Sequence, residues 1–301
     1  VDGAAVSGAS KYTAAFASGA GSAINVVSGS ITGPEDNHVA LCVKNGAAAE
    51  ISGGTVTSAS SSAAVAGAES TITISGGTVS TTVTSPAFCA AYSMAGGTIV
   101  LNGGTITAAN GGGLIATANS SVKVLSGTVT AGGDNYAVLA HEGNAEATIS
   151  GGTVTGAVGA GSTNNGTGNK LIITDGTVLG TVYEQEGSEV EITGGAFLND
   201  SGNSCTLPEH KTLRKSDDDL YRLADIEYTV RYTNGIGADG IGATLASFTV
   251  KEGEQTPAFD LGSITLTQYL LLVAYQKAGN AYDESDLWTE EIAQYVTEDA
   301  T

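Results

Sequence analysis

A chain that cleaves acidic polysaccharides needs a base beside a carboxylate cluster that holds calcium. A glycosidase needs two carboxylates facing each other at close range. Residues 1–205 supply neither. Their cations are Lys11, Lys44, Lys123 and Lys170, with no Arg, and Asp36, Asp134, Asp175 and Asp200 are spread one to a segment. His38, His141 and His210 stand apart, whereas a zinc centre needs three or four converging ligands. These spacings predict no catalytic residue, no cofactor and no metal centre. Two acidic clusters remain. In "YEQEGSEVEI" (183–192), strand alternation turns Glu189 and Glu191 outward together, beside Glu184 and Glu186. It reads first as a solvated strand face and second as a seat for calcium or a cationic partner. Asp217–Asp219 reads as a solvated loop.

Cysteine occurs three times, at Cys42, Cys89 and Cys205, an odd count that makes no disulfide framework. Cys42 and Cys89 fall at similar places two segments apart. At strand spacing that is ~10 Å, beyond the ~7 Å that a disulfide spans between Cα atoms. Both are expected free, as small buried fillers.

Only the hydroxyl residues fall into a pattern. A hydroxyl–apolar–hydroxyl triplet recurs at Ser30–Thr32, Thr55–Thr57, Thr78–Ser80, Thr105–Thr107, Thr128–Thr130 and Thr153–Thr155, and breaks at Thr177–Leu179. With the central Val or Ile turned inward, both flanking side chains point out. The candidate ligand-binding face is therefore Thr55, Thr57, Thr78, Thr105, Thr107, Thr128, Thr130, Thr153 and Thr155. Such an array suits a glycan; it also resembles the ice-binding face of β-helical antifreeze proteins. The plainer reading is that Thr suits an exposed strand and stacks well on itself.

The triplets belong to a longer phrase. "ISGGTV" stands at 51–56, 74–79 and 149–154, with looser copies "VSGSI" (27–31), "LNGGTI" (101–106), "LSGTV" (125–129), "ITDGTV" (173–178) and "ITGGAF" (192–197). The closing apolar residues are Ile31, Val56, Val79, Ile106, Val129, Val154, Val178 and Phe197, at intervals of 19 to 27 residues. A period of roughly 20–50 residues marks a repeat architecture. The short β-branched alternating runs separated by Gly and Asn exclude a helical solenoid. Each repeat reads as three short strands and three corners, the third strand being "ALCV" (40–43), "AAVA" (63–66), "AFCA" (87–90) or "AVLA" (137–140). The fold class expected is an all-β solenoid, a right-handed parallel β-helix of about eight coils over residues 1–205. The expected inward ladder is Ile51, Ile74, Leu101, Leu125, Ile149, Ile173 and Ile192. One coil cannot bury its own apolar face, so the phrase must recur.

The texture changes after Cys205. All three Arg (Arg214, Arg222 and Arg231) lie beyond it, and 206–301 carries a net charge of −10, as much as the first 205 residues. Residues 206–225 read as cap and linker. From Ile226 the pattern resembles the internalin-type B-repeat, also called the Listeria–Bacteroides repeat. The residues that carry it are Tyr228–Gly235, "VKEGE" (250–254), Tyr269 to Tyr275 and "VTEDAT" (296–301). Val273-Ala274-Tyr275 replaces the family's usual Gly-Trp. The resemblance implies a small C-terminal β-grasp-like α+β module over 226–301, a bacterial surface location and no enzymatic activity. The Gly-Gly-Thr coils likewise resemble adhesin-like β-helices of bacterial surfaces.

The net charge of −20 disfavours nucleic acid and anionic membranes. No apolar run approaches the ~18 residues of a membrane span, and no secretory leader with a basic start precedes Val1. The function expected is that of a non-enzymatic, extracellular or cell-wall-attached bacterial protein, an adhesin-like stalk that binds a glycan or a host or cell-surface protein. The alternatives are a polysaccharide-active β-helix enzyme (lyase or hydrolase) and ice binding through the Thr ladder.

Overall fold

The computed structural model describes residues 1–9, 11–83, 88–161, 167–233 and 244–255, with backbone alone for 231–233 and 244–246. The chain divides into two units, 1–208 with 213–223, and 209–212 with the residues from 224 onward.

The first unit is an all-β parallel solenoid with three faces. The first face stacks Ala23–Val26, Ala48–Ile51 and Thr71–Ile74. The second stacks Ala5–Ser7, Ser30–Thr32, Thr55–Ser58 and Thr78–Thr81. From the fourth rung the two run through a shared corner as single bent strands, Thr98–Ala108, Ser121–Thr130, Glu146–Thr155 and Lys170–Leu179. Glu189–Ile192 and Ala196–Phe197 close them. The third face stacks eight strands, from Ala15–Ser18 to Val182–Glu184. Eight rungs enclose about seven full turns, one fewer than the eight coils counted from the repeats, because eight marks bound seven intervals.

The core follows the register. Ile31, Val56, Val79, Ile106, Val129, Val154, Val178 and Phe197 stand in one column and are all fully buried. The matching column on the first face is Val26, Ile51, Ile74, Leu101, Val124, Ile149, Ile173 and Ile192, also fully buried. Each such side chain contributes roughly 1.5–3 kcal/mol by leaving water.

Leu125 does not belong to it. Val124 pairs with Leu101, and Leu125 is 41% exposed at the corner. The fifth-rung phrase is "VLSGTV", with Leu in the place that Ser, Thr or Asn takes in the later and preceding copies. Val27, 54% exposed, holds the same place in "VVSGSI". The third-face reading shifts as well. The residues equivalent to "ALCV" are Ala90–Ser93 rather than "AFCA", since Ala91 pairs with Ala64, and Ala64 with Leu41. Cys42 therefore aligns with Val65 and Tyr92, pointing outward and half-buried, while Cys89 is buried.

The corner explains both glycines of the phrase. A Cβ on Gly76 would lie 2.3 Å from the Ser52 carbonyl oxygen of the rung before, and one on Gly151 2.2 Å from that of Leu125. Ser126 and Asp175 take this first place where the ladder shifts register, opposite Asn102 and Ser150, and Ser28 takes it in the first copy. The second glycine adds a left-handed backbone, φ +68° at Gly77, with the Gly54 oxygen 2.6 Å from any Cβ. On the inner side of the next corner, buried hydroxyls hold the bend. Ser70 Oγ donates to the Val43 carbonyl (2.9 Å), and Ser120 Oγ to that of Ser93 (2.8 Å).

The last rung is covered by the 3₁₀ turn Ser201–Ser204 and by Leu213. Asn203 brackets Leu213, accepting its N–H at 2.6 Å and donating to its carbonyl at 3.2 Å. Thr206 takes the Ile192 N–H and gives its own to Val190, both at 2.9 Å. In the following turn Arg222 holds Asp218 with two bonds of 2.6 and 2.7 Å and keeps that carboxyl well below its usual range. Lys215 reaches Asp219 at 2.8 Å.

In the second unit Glu227–Thr233 pairs antiparallel with Thr244–Lys251, and Val230 and Val250 are buried. Asp225 is pulled down to about 2 by Lys211 and by Lys251, the latter at 2.6 Å. Of the resemblance that begins here, Gly235, Tyr269 to Tyr275 and 296–301 lie outside the described residues. Among the described residues no helix is long and apolar enough to cross a membrane.

Ile74→Asp puts an unpaired charge into the first-face column and is expected to cost about 3–5 kcal/mol in urea unfolding; a wild-type midpoint would refute the inward assignment. Gly77→Ala is expected to cost about 2 kcal/mol or more, from left-handed strain and the carbonyl clash. The outward control Thr73→Ala should stay within about 0.5 kcal/mol of wild type.

Candidate functional site

The stacking places the predicted threonines in two straight columns on the second face. One is Ser30, Thr55, Thr78, Thr105, Thr128, Thr153 and Thr177. The other is Ser7, Thr32, Thr57, Ser80, Thr107, Thr130 and Thr155, ending at Leu179. The triplets had marked six rungs. The columns gain Thr177 at one end and Ser7 at the other, because "AVS" (5–7) pairs with Ser30–Thr32. Most of these side chains are half-exposed, since each is flanked by its copies above and below. At ~4.8 Å per rung, seven hydroxyls extend about 29 Å. The central residue of each triplet is buried, so the columns flank a closed core and no cavity opens between them.

The third face is built differently, and the phrase gave no sign of it. Its central outward column is Phe16, Cys42, Val65, Tyr92, Ile115, Leu139, Gly159 and Tyr183. The column is apolar throughout, with Phe16 and Tyr183 about half exposed at its ends. A groove of about 720 Å³ lies over Val65, Tyr92, Ile115 and Leu139. Thr117 Oγ1 donates to Tyr92 Oη at 2.9 Å. At one end the rings of Tyr136 and Tyr183 meet edge to face, 5.9 Å apart. Gly159 lies beneath Tyr136, where a Cβ would come within 3.2 Å of the ring. At the other end Lys44 Nζ sits 5.0 Å from the Phe16 ring centre. The available signal was negative: "LCV", "LIA" and "VLA" do not alternate with polar residues as the phrase does.

Several of the remaining candidates are engaged in structural contacts. Glu189 and Glu191 lie on one strand face, with Lys170 of the rung before at 3.5 and 2.9 Å. Glu184 accepts the Val190 N–H at 2.9 Å. Asp175 accepts the Gly176 N–H, and Asp36 that of Lys11. His38 is exposed, His141 borders the groove, and His210 faces Glu252 at 3.7 Å. Among the described residues no three His, Cys, Asp or Glu side chains come together to hold a metal ion. No family model, curated protein or solved structure matches the chain.

The thiols are free and shielded. Burial pushes Cys89 up to about 12, against a weaker pull from Ser62, and Cys205 up to about 11, with Glu184 adding to the rise. Burial also raises Cys42, opposed by Lys44. Since the thiolate is the reactive form, Cys42 should react more slowly than free cysteine at pH 8 and gain on it as pH rises. Cys89 should be modified only as the chain unfolds. Mass-spectrometric mapping after timed labelling checks both; rapid native-state labelling of Cys89 would contradict its burial.

Proposed function

We propose that this chain is a non-enzymatic bacterial surface protein, secreted or attached to the cell wall, in which an adhesin-like solenoid stalk binds an extended, hydroxyl-rich polymer, a glycan, along its second face. The observation that carries the reading is the pair of hydroxyl columns, each seven residues long and side by side in unbroken register over six rungs. Burial of the central Val or Ile accounts for the core alone. It does not demand that both neighbours be Ser or Thr, since Val, Tyr or Lys also suit an outward strand position.

A flat row of single hydroxyls gives weak individual contacts, each netting about 0.5–1.5 kcal/mol. Useful affinity then requires a ligand that engages several rungs at once. A polymer does this; a monosaccharide does not. The chain's net charge of −20 favours a neutral polymer over an acidic one. It also argues against nucleic acid. In this reading the residues from Ile226 onward are an internalin-type B-repeat, a β-grasp spacer in a tandem surface protein. The hairpin of Glu227–Thr233 with Thr244–Lys251 is compatible with its opening strands.

A glycan array probed with the intact chain identifies the polymer. Converting Thr105, Thr128 and Thr153 together to Val should then weaken binding about ten-fold or more, with the melting temperature unchanged. Unchanged binding by that variant would leave the columns a stacked strand face. Thermal hysteresis in ice-growth assays, with no glycan bound, would assign the face to ice.

A further inference from the structure

We infer that the third face carries a second, independent binding site, which takes an amphiphile with an unbranched apolar tail and a neutral or cationic head. Its floor is apolar, made of the outward side chains Val65, Tyr92, Ile115 and Leu139, with Phe88 and Met94 beside them. Outward positions elsewhere on the solenoid are hydroxyls or mixed, from Glu50 and Lys123 to Val100 on the first face. A contiguous outward apolar stripe on a water-facing sheet marks a contact surface. The groove's volume, about 720 Å³, falls within the ~300–1,000 Å³ of small-ligand clefts. A protein partner would need about 800 Å² from each side.

Polarity runs along the groove. The rungs of Val65, Tyr92 and Ile115 supply its apolar part, and at that end the Ser62 hydroxyl is already bonded to the Cys89 N–H at 3.3 Å. Around and beyond Leu139 the lining turns to His141, Glu142 and Gln185. From the rung of Val65 to that of Leu139 is three spacings, about 14 Å, which an extended alkyl tail fills lengthwise. Its head then lies among His141, Glu142 and Gln185. Among the described residues the lining includes Glu142 but no Lys or Arg, and the chain's net charge is −20. An anionic head is repelled there; a neutral or cationic one is not. A run of sugar rings fits less well, because the rungs of Val65, Ile115 and Leu139 offer their hydroxyl edges no hydrogen-bond partner and Tyr92 is the one ring in that part of the column.

The test is calorimetric titration of the intact chain with dodecylamine, dodecyl maltoside and laurate, each below its micellar concentration. Dodecylamine and dodecyl maltoside should bind one per chain, and laurate about ten-fold more weakly; ethylamine, which has the head without the tail, should not bind. Leu139→Asn, neutral and at a half-exposed outward position, should weaken both good ligands about ten-fold with the melting temperature retained. Val65→Asn repeats the test at the other end of the floor should Leu139→Asn lower the melting point. The Thr105/Thr128/Thr153→Val variant should bind the amphiphiles as wild type does. No binding by either dodecyl compound, equal binding of laurate, or full binding by both Asn variants would overturn the site. So would cellopentaose binding that Leu139→Asn abolishes, which would assign the groove to sugars.

Discussion

In a stack of parallel strands ~4.8 Å apart, every side chain must tolerate a neighbour in the same place one rung above and one below. That constraint orders the solenoid. Inside, it makes columns of like shape: Ile51 under Ile74 under Leu101, and Val56 under Val79 under Ile106. At the two glycine places of the corner it crowds out side chains, because carbonyl oxygens of the preceding rung lie 2.3 and 2.6 Å from where a Cβ of Gly76 or Gly77 would sit. Glycine is costly in a strand through its conformational freedom, yet here it avoids that clash. Ser126 and Asp175 replace it where the ladder slips, and Ser28 in the first copy of the phrase.

The same constraint leaves the outer side chains chemically free, and the faces diverge there. On the second face the outward positions hold β-branched hydroxyls, which stack as readily as the Val and Ile between them. On the third face Phe16, Val65, Tyr92, Ile115 and Leu139 follow one another. The interior behind that face is lined by a column of small residues, Ala66, Ala116, Ala140 and Ala160, beside a larger one that includes Leu41, Leu114, Val138 and Val158. Apolar side chains therefore stand on both sides of these strands. One scaffold thus presents a hydroxyl-bearing face and an apolar one that carries a groove.

A stack also has to end. Copies of the phrase cannot cover the last rung, so the sequence abandons the repeat. Gly202 packs closely against Ile192 and Leu213, whose Cδ1 atoms would lie 2.6 and 2.8 Å from a Cβ there. The Asn203 amide supplies the two bonds that a next strand would have given Leu213. The acidic triplet that follows is held by its own cations, Arg222 on Asp218 and Lys215 on Asp219, which is why a run of carboxylates there reads as a turn.

The sequence by itself determined the period, the parallel stacking, and the inward and outward sense of the second face. Alternation with period 2 carries that sense, and a slip of one residue would have turned Ile74 and Val79 into water. It also determined the hydroxyl columns, because their residues lie inside the repeated phrase. It misplaced Leu125 and "AFCA", since corner lengths vary and short apolar runs have no internal marker of register. Only the stacked structure decided those, by fixing which residues share a rung. Only it, too, brought Val65, Tyr92, Ile115 and Leu139 together. They come from four coils, with no common motif and no polar alternation, and their shared direction exists only once the hydrogen-bond ladder has set the strands side by side.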